Sequence, residues 1–429
     1  MKQRNPILST NYAFADGEPH LVNGELYVYP SCDESRNYYS SQRYFVPHSR
    51  DLENWTIGGV AFEENKVQWK QESKGISSLQ GVSSFDDLPD HIKKMLPKES
   101  RNVPVEQIIA AINEATAQGV PQKRMLYAPD ALTKDGKTYL YFCMSDQSEG
   151  VAVADNPAGP FTNAKQIRLD STDEPIQGID PAIFMDDDGK CYLYWGQFEA
   201  YGAELCDDMV HIKADTMVKG IVTEKEHYFH EGSSMRKING TYYYVFADIS
   251  RGKATCLGYA TADSPLGPFK YQGVIIDNDG CDPGVWNNHG GMECVDGQWY
   301  IFYHRSSGNS QYMRRMCAEK IYINADGKIP EVPMTSIGMG EAYRKGERIH
   351  AYETCLVHGN AYVEDGVLVV KKGTGTAVYR YAEERNRKQK EISWQGSGTG
   401  LVKAIIDGEG QILLKIQATE DMRIESFVL

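Results

Sequence analysis

Five stretches of the chain are built to one plan: an acid or a histidine, a short apolar run, a turn glycine, then an aromatic-rich strand. They are FADGEPHLVNGELYVYP (14–30), YAPDALTKDGKTYLYF (127–142), IDPAIFMDDDGKCYLYW (179–195), HEGSSMRKINGTYYYVF (230–246) and NNHGGMECVDGQWYIFYH (287–304). The polar leaders are Asp16, Asp130, Asp180, Glu231 and His289, and the turn glycines are Gly24, Gly136, Gly189, Gly240 and Gly297. Valine, isoleucine and aromatic residues alternate around Asn-Gly or Asp-Gly, which supplies the positive φ of a tight hairpin. From Gly136 onward the glycines recur about every 50 residues, the size of a four-stranded propeller blade, which buries its faces only against neighbouring blades. A second landmark recurs in VAVADNPAGPF (151–161) and YATADSPLGPF (259–269). The expected fold is all-β: a five-bladed β-propeller over residues 1–335.

The first interval, Gly24 to Gly136, is about twice as long as the others. The surplus falls near 64–122, where DLPDHIKKML and PVEQIIAAINEATAQG carry helical apolar spacing. This predicts a helical insertion between the first two blades, either a solvated decoration or one wall of the substrate cleft. After SIGMGEAYRKGER the repeat stops, and short alternating runs over 336–429 predict a small β-sandwich, either a buttress or a sugar-binding module.

In a blade the first strand lines the central channel, so the polar leaders are expected to emerge around one opening. Gathered carboxylates there could bind a cation, hydrolyse a glycoside, or only shape turns; Asp186, Asp187 and Asp188 of MDDDGK belong to a turn. Glycoside hydrolysis needs one carboxylate to activate water and one protonated carboxyl to donate to the leaving oxygen. Inverting enzymes hold the two about 6.5–9.5 Å apart, and residues on different blades favour that wider spacing. A third carboxylate beside the acid would keep it protonated by like-charge repulsion.

The formal charge of −14 and the lack of a basic stripe argue against nucleic acid or an anionic membrane as partner. The polar start predicts no signal peptide. Nine cysteines without a CxxC pair fit buried free thiols, so a cytoplasmic location is expected and a zinc site is not.

These motifs resemble glycoside hydrolase family 43, the five-bladed propeller β-xylosidases and α-L-arabinofuranosidases. FADGEPHLVNGELYVYPSCDE resembles the segment of the family's catalytic base, which implies that role for Asp16. GIDPAIFMDDDGKCYLYWG resembles the segment of the pKa-modulating aspartate, here Asp180, and HEGSSMRKINGTYYYVFA that of the general acid, here Glu231. The resemblance implies further that Asp130 and Trp69 contact the sugar, with an inward-pointing arginine from YMRRMCAEKIYI, for which Arg315 is preferred over Arg314. His289 matches a fifth-blade histidine that ligates a cation through water, implying a calcium-like ion in the channel. The family pattern is broken where Asp16-Gly17-Glu18 replaces Asp-Pro-Ser and where Tyr127 replaces a tryptophan. The tail resembles a shortened carbohydrate-binding module of family 6. The implied function is an inverting exo-acting α-L-arabinofuranosidase on arabinoxylan-derived, plant cell-wall oligosaccharides. A β-xylosidase and a non-catalytic sugar-binding propeller are the alternatives.

Overall fold

The computed structural model describes residues 2–8, 11–69, 79, 81–88, 92–93, 96, 98–119, 124–385 and 388–429. Five antiparallel sheets follow one another along the chain as the blades of a propeller. Their innermost strands are Phe14–Val22, Asp130–Lys134, Ala182–Met185, Phe229–Ile238 and Met292–Val295, and those of blades one, two, three and four, and of five and one, touch as neighbours. Blades one to four have four strands each; blade five has three, ending with Gln298–Ser307 and Ser310–Ile321.

The alternation in the sequence explains the ring. Successive residues of a strand point to opposite faces, so the second strand of each blade feeds two different cores. In Lys137–Cys143, Leu140 and Phe142 pack toward blade one, whereas Tyr141 packs toward blade three. In Thr241–Asp248, Tyr244 and Phe246 face blade three, and Tyr243 and Val245 face blade five. The fifth interface joins Tyr300 and Phe302 to Phe14 and Val28 and closes the circle. Each such buried side chain is worth about 1.5–3 kcal/mol, and a one-residue slip would turn a whole strand inside out, so the register is firmly set. Four hairpins are held by the expected turns: Asn23-Gly24, Asp135-Gly136, Asn239-Gly240 and Asp296-Gly297 all have both residues at positive φ.

The N-terminal segment completes blade five. The Ile7 N–H donates to the Met316 carbonyl at 2.8 Å, and the Asn5 side chain bonds both the N–H and the carbonyl of Ala318.

Within the insertion, Val105–Gly119 is an α-helix, as its spacing predicts; Val105 and Ile108 pack on Leu79, Leu88 and Ile92 in a small core of their own. The other predicted helix, over 87–96, falls partly outside the described residues. The C-terminal region is one eight-stranded sheet folded back on itself. Its long strand Val367–Tyr379 pairs with Met422–Val428 along Leu368–Val370 and with Ile412–Ala418 from Gly373 onward, so the two partners diverge into separate leaves. Leu368, Met422 and Ile424 of one leaf meet Val402, Leu414 and Ile416 of the other in a shared core. This sheet rests on blades four and five through Cys355 and Val378.

Candidate active site

In blades one and four the inner strand opens with a break in regular pairing, and that break aims the acids. In blade one the register shifts between Ala15 and Glu18, and Asp16 lies between them at φ 56°. Asp180 has the same φ in blade three. Aspartate tolerates this left-handed conformation better than most residues. In blade four the shift falls between Glu231 and Ser234, with Gly232 at φ 70°. A Cβ on Gly232 would lie 2.9 Å from the His289 ring, so glycine is required there both by conformation and by space.

Asp16, Asp180, Glu231 and His289 line one cleft of about 250 Å³, together with Ser31, Asp33, Tyr39, Tyr127, Gln147, Gln197, Asn287 and Arg314. The volume is below the usual ~300–1,000 Å³ of sites for drug-sized ligands and suits a single sugar ring. Ser31 donates to Asp16 Oδ2 at 2.7 Å, and Arg314 Nη1 donates to Oδ1 at 2.6 Å. Arg314 is gripped in turn by Asp33, which accepts from Nε at 2.9 Å, Nη2 at 2.8 Å and the backbone N–H at 2.8 Å. Glu231 is held from two other blades: Gln197 donates to Oε2 at 2.9 Å and Asn287 to Oε1 at 3.3 Å. The Gly232 N–H donates to Asp180 Oδ2 at 3.0 Å. His289 Nδ1 stands 3.9 Å from Asp16 Oδ1 and 3.8 Å from Asp180 Oδ2, between the two.

Burial alone would push Asp16 up, but the Arg314 guanidinium, and then the His304 and His289 imidazoles, outweigh it and hold the carboxyl well below the usual range. Asp180 moves the opposite way. Burial, then the charges of Glu231 and Asp16, push it far up, and the Gly232 N–H and Arg314 offset only part of this. The like-charge repulsion expected in the acidic corner therefore acts on Asp180. Burial pushes His289 down against the pull of Asp16 and Glu231. The cleft thus sets a carboxyl held down beside a guanidinium against one pushed far up beside other acids.

Three expected sugar contacts lie elsewhere. Asp130 is closed off in the channel wall, where Oδ1 meets His20 Nε2 at 2.5 Å and Oδ2 accepts the Ile183 N–H at 2.7 Å, tying three blades together. Trp69 stacks on Phe142, with ring centroids 6.2 Å apart, half-buried against the core between blades one and two. Arg315 points away from the cleft and bonds Ser307, because adjacent residues of a strand face opposite sides and Arg314 takes the inward position. Among the described residues, none from 64–122 lines the cleft. Glu18 also stays out of it, paired with Arg236 at 2.9 Å and accepting from Ser234.

The sequence reading overlooked Asp33, Tyr39, Gln197 and Asn287. Asp33 alone left a signal, an acid directly after an apolar strand in PSCDE.

A calcium ion takes six to eight oxygens at about 2.3–2.6 Å. Around His289 the described side chains build no such cage. The described trio close enough to share an ion is Glu18, His20 and Asp130, where Arg236 already supplies positive charge. An ion beside His289 would be held mainly through water.

A five-bladed propeller whose mouth sets Asp16, held down by a guanidinium, against Asp180, pushed far up beside Glu231, has the make-up of an acid–base hydrolase of the glycosidase class. The model of glycosyl hydrolases family 43 matches residues 103–329, more than half of the chain, and the protein belongs to that family. The chain is 27% identical to a xylosidase/arabinosidase of Thermoclostridium stercorarium, over 97% of this chain and 90% of that protein. It is 26% identical to an arabinoxylan arabinofuranohydrolase of Bacillus subtilis, over 86% of this chain and 71% of the other. Among solved structures, a family 43 β-xylosidase/α-arabinofuranosidase from a compost microbial metagenome, bound to xylotriose in a calcium-free form, superposes with a TM-score of 0.57. That match has 27% identity and covers 78% of this chain and 99% of the other.

Proposed function

We propose that the protein is an inverting exo-glycosidase that removes α-L-arabinofuranosyl groups from arabinoxylan-derived oligosaccharides. The observation that carries this reading is the opposed environment of two carboxyls in one small cleft: Asp16, ionised beside Arg314, and Glu231, beside the proton-holding Asp180. Asp16 draws a proton from the water that attacks the anomeric carbon, while Glu231 protonates the departing glycosidic oxygen. Asp180, bonded to the Gly232 N–H, keeps a proton in the acid's corner. The size of the cleft supports exo action on a terminal ring. A hydrated calcium ion beside His289 would add positive charge to this acidic mouth, and no step depends on it.

β-Xylosidase activity on xylo-oligosaccharides uses the same groups, and relatives named for both activities keep it as the second reading. The C-terminal sheet, read in the sequence as module-like, we take as a buttress. Its support is the buried contact in which Arg305 of blade five donates to the Thr354 carbonyl.

Turnover of p-nitrophenyl α-L-arabinofuranoside and p-nitrophenyl β-D-xyloside tests the reading, with proton NMR of the first-formed anomer. Asp16→Ala, Asp180→Ala and Glu231→Ala should each lose at least about 1,000-fold in kcat while melting as the wild type does. Product of retained configuration, or wild-type turnover in any of the three, would overturn it.

A further inference from the structure

The three residues that meet at the acid each have an aromatic neighbour in sequence. Gln197 and Asn287 donate to Glu231, and next to these three stand Phe198, Trp286 and His230. The aromatic neighbours touch in the same order. Phe198 meets His230 edge-on with centroids 5.2 Å apart, and His230 meets Trp286 edge-on at 6.3 Å. Phe198 follows the strand Cys191–Gln197, His230 precedes Glu231 on its strand, and Trp286 lies on the loop leading to Met292–Val295. All three therefore stand next to the acid and its two hydrogen-bond partners, just beyond the residues that line the cleft itself. Trp286 keeps 36% of its surface exposed, a large share for so apolar a side chain, whereas His230 behind it is buried.

The loop under Trp286 is rigid. The Asn287 carbonyl accepts from Asn278 Nδ2 and from His304 Nε2, both at 2.9 Å, and the Asn288 N–H donates to the Ala254 carbonyl at 2.7 Å. An exposed indole on a pinned loop is preorganised to receive a flat, partly apolar ligand.

We propose that Trp286, backed by His230 and Phe198, is the platform for the sugar ring on the leaving-group side of the scissile bond. The inference rests on the glycosidase reading. The oxygen protonated by Glu231 belongs to the departing sugar, so that ring must lie against the acid's outer flank, where Trp286 stands. The C–H face of a pyranose covers an indole and leaves its hydroxyls in water.

The test compares two substrates of the sugar that the wild type releases: the oligosaccharide, and the methyl glycoside, whose leaving group has no ring. Trp286→Ala should lower kcat/KM for the oligosaccharide by about 10-fold or more and change that for the methyl glycoside by less than about twofold. Trp286→Phe should recover most of the loss, and it carries the comparison should the alanine variant melt early. Equal losses on both substrates, or no loss on the oligosaccharide, would overturn the platform. A wild type inactive on both substrates would overturn the glycosidase reading itself.

Discussion

Asp33 and Asp16 are joined through a single guanidinium: Asp33 takes Nε and Nη2 of Arg314, and Asp16 takes Nη1. The fork geometry of arginine makes this a rigid link, so Asp33 sets where the positive charge beside Asp16 stands. In Asp33→Asn the bidentate grip is lost and Arg314 is no longer aimed. Arg314 holds Asp16 down, so its loosening raises Asp16, and protonation would silence this proposed base at a higher pH. The acid limb of kcat/KM against pH should move upward, with a fall of about 10–100-fold at neutral pH. An unmoved acid limb would reduce Asp33 to a structural partner.

The two neighbouring arginines should separate cleanly. Arg314→Lys keeps a charge but cannot span both carboxylates, and kcat/KM should fall by about 100-fold. Arg315→Lys faces away from the cleft and should stay within about twofold. Equal losses in the two variants would mean that the strand presents the other face.

Gly232 offers a steric test of preorganisation. Gly232→Ala places a methyl 2.9 Å from the His289 ring at a backbone angle that alanine avoids. Shifting His289 disturbs the group between Asp16 and Asp180, so turnover should drop by about 100-fold or more, with a melting point a few degrees lower. Unchanged kinetics would show that the ring has room to move.

Glu18 gives the fold a pH dependence of its own. Burial, opposed by Arg236 and reinforced by Asp130, pushes its carboxyl up to about 7. The folded state then binds more protons than the unfolded chain between about pH 4.5 and 7, so this group's contribution to stability is lost as pH rises through that window. Glu18→Gln should melt like the wild type near pH 5 and several degrees above it at pH 8. A Gln variant that melts lower at pH 8 would mean that the ionised pair with Arg236 is the stabilising form.

Much of this molecule is written locally. The hairpins follow from period-two alternation and Asn-Gly turns, and the three acids were found because each leads a hairpin. What joins them is not local. Asp33 and Arg314 meet across the seam between blades one and five, and Gln197, Glu231 and Asn287 come from three blades. No spacing rule links such distant positions. The choice between Arg314 and Arg315 depends on counting register along a 12-residue strand from its turn. Trp69 was misplaced because an exposed platform and an interblade core both call for an aromatic, and only the stacking on Phe142 decides between them.

The seam between blades one and five also governs when the chain becomes an enzyme. Asp16 comes before most of the propeller in the chain, whereas Arg314, His289 and His304, which hold its carboxyl down, come after it. Asn5 and Ile7 then have to find Met316 and Ala318 to lock the circle. A chain without the last blade would lack the groups that hold Asp16, the proposed base, in its charged form. On the proposed mechanism, activity would report that the two ends of the propeller have met.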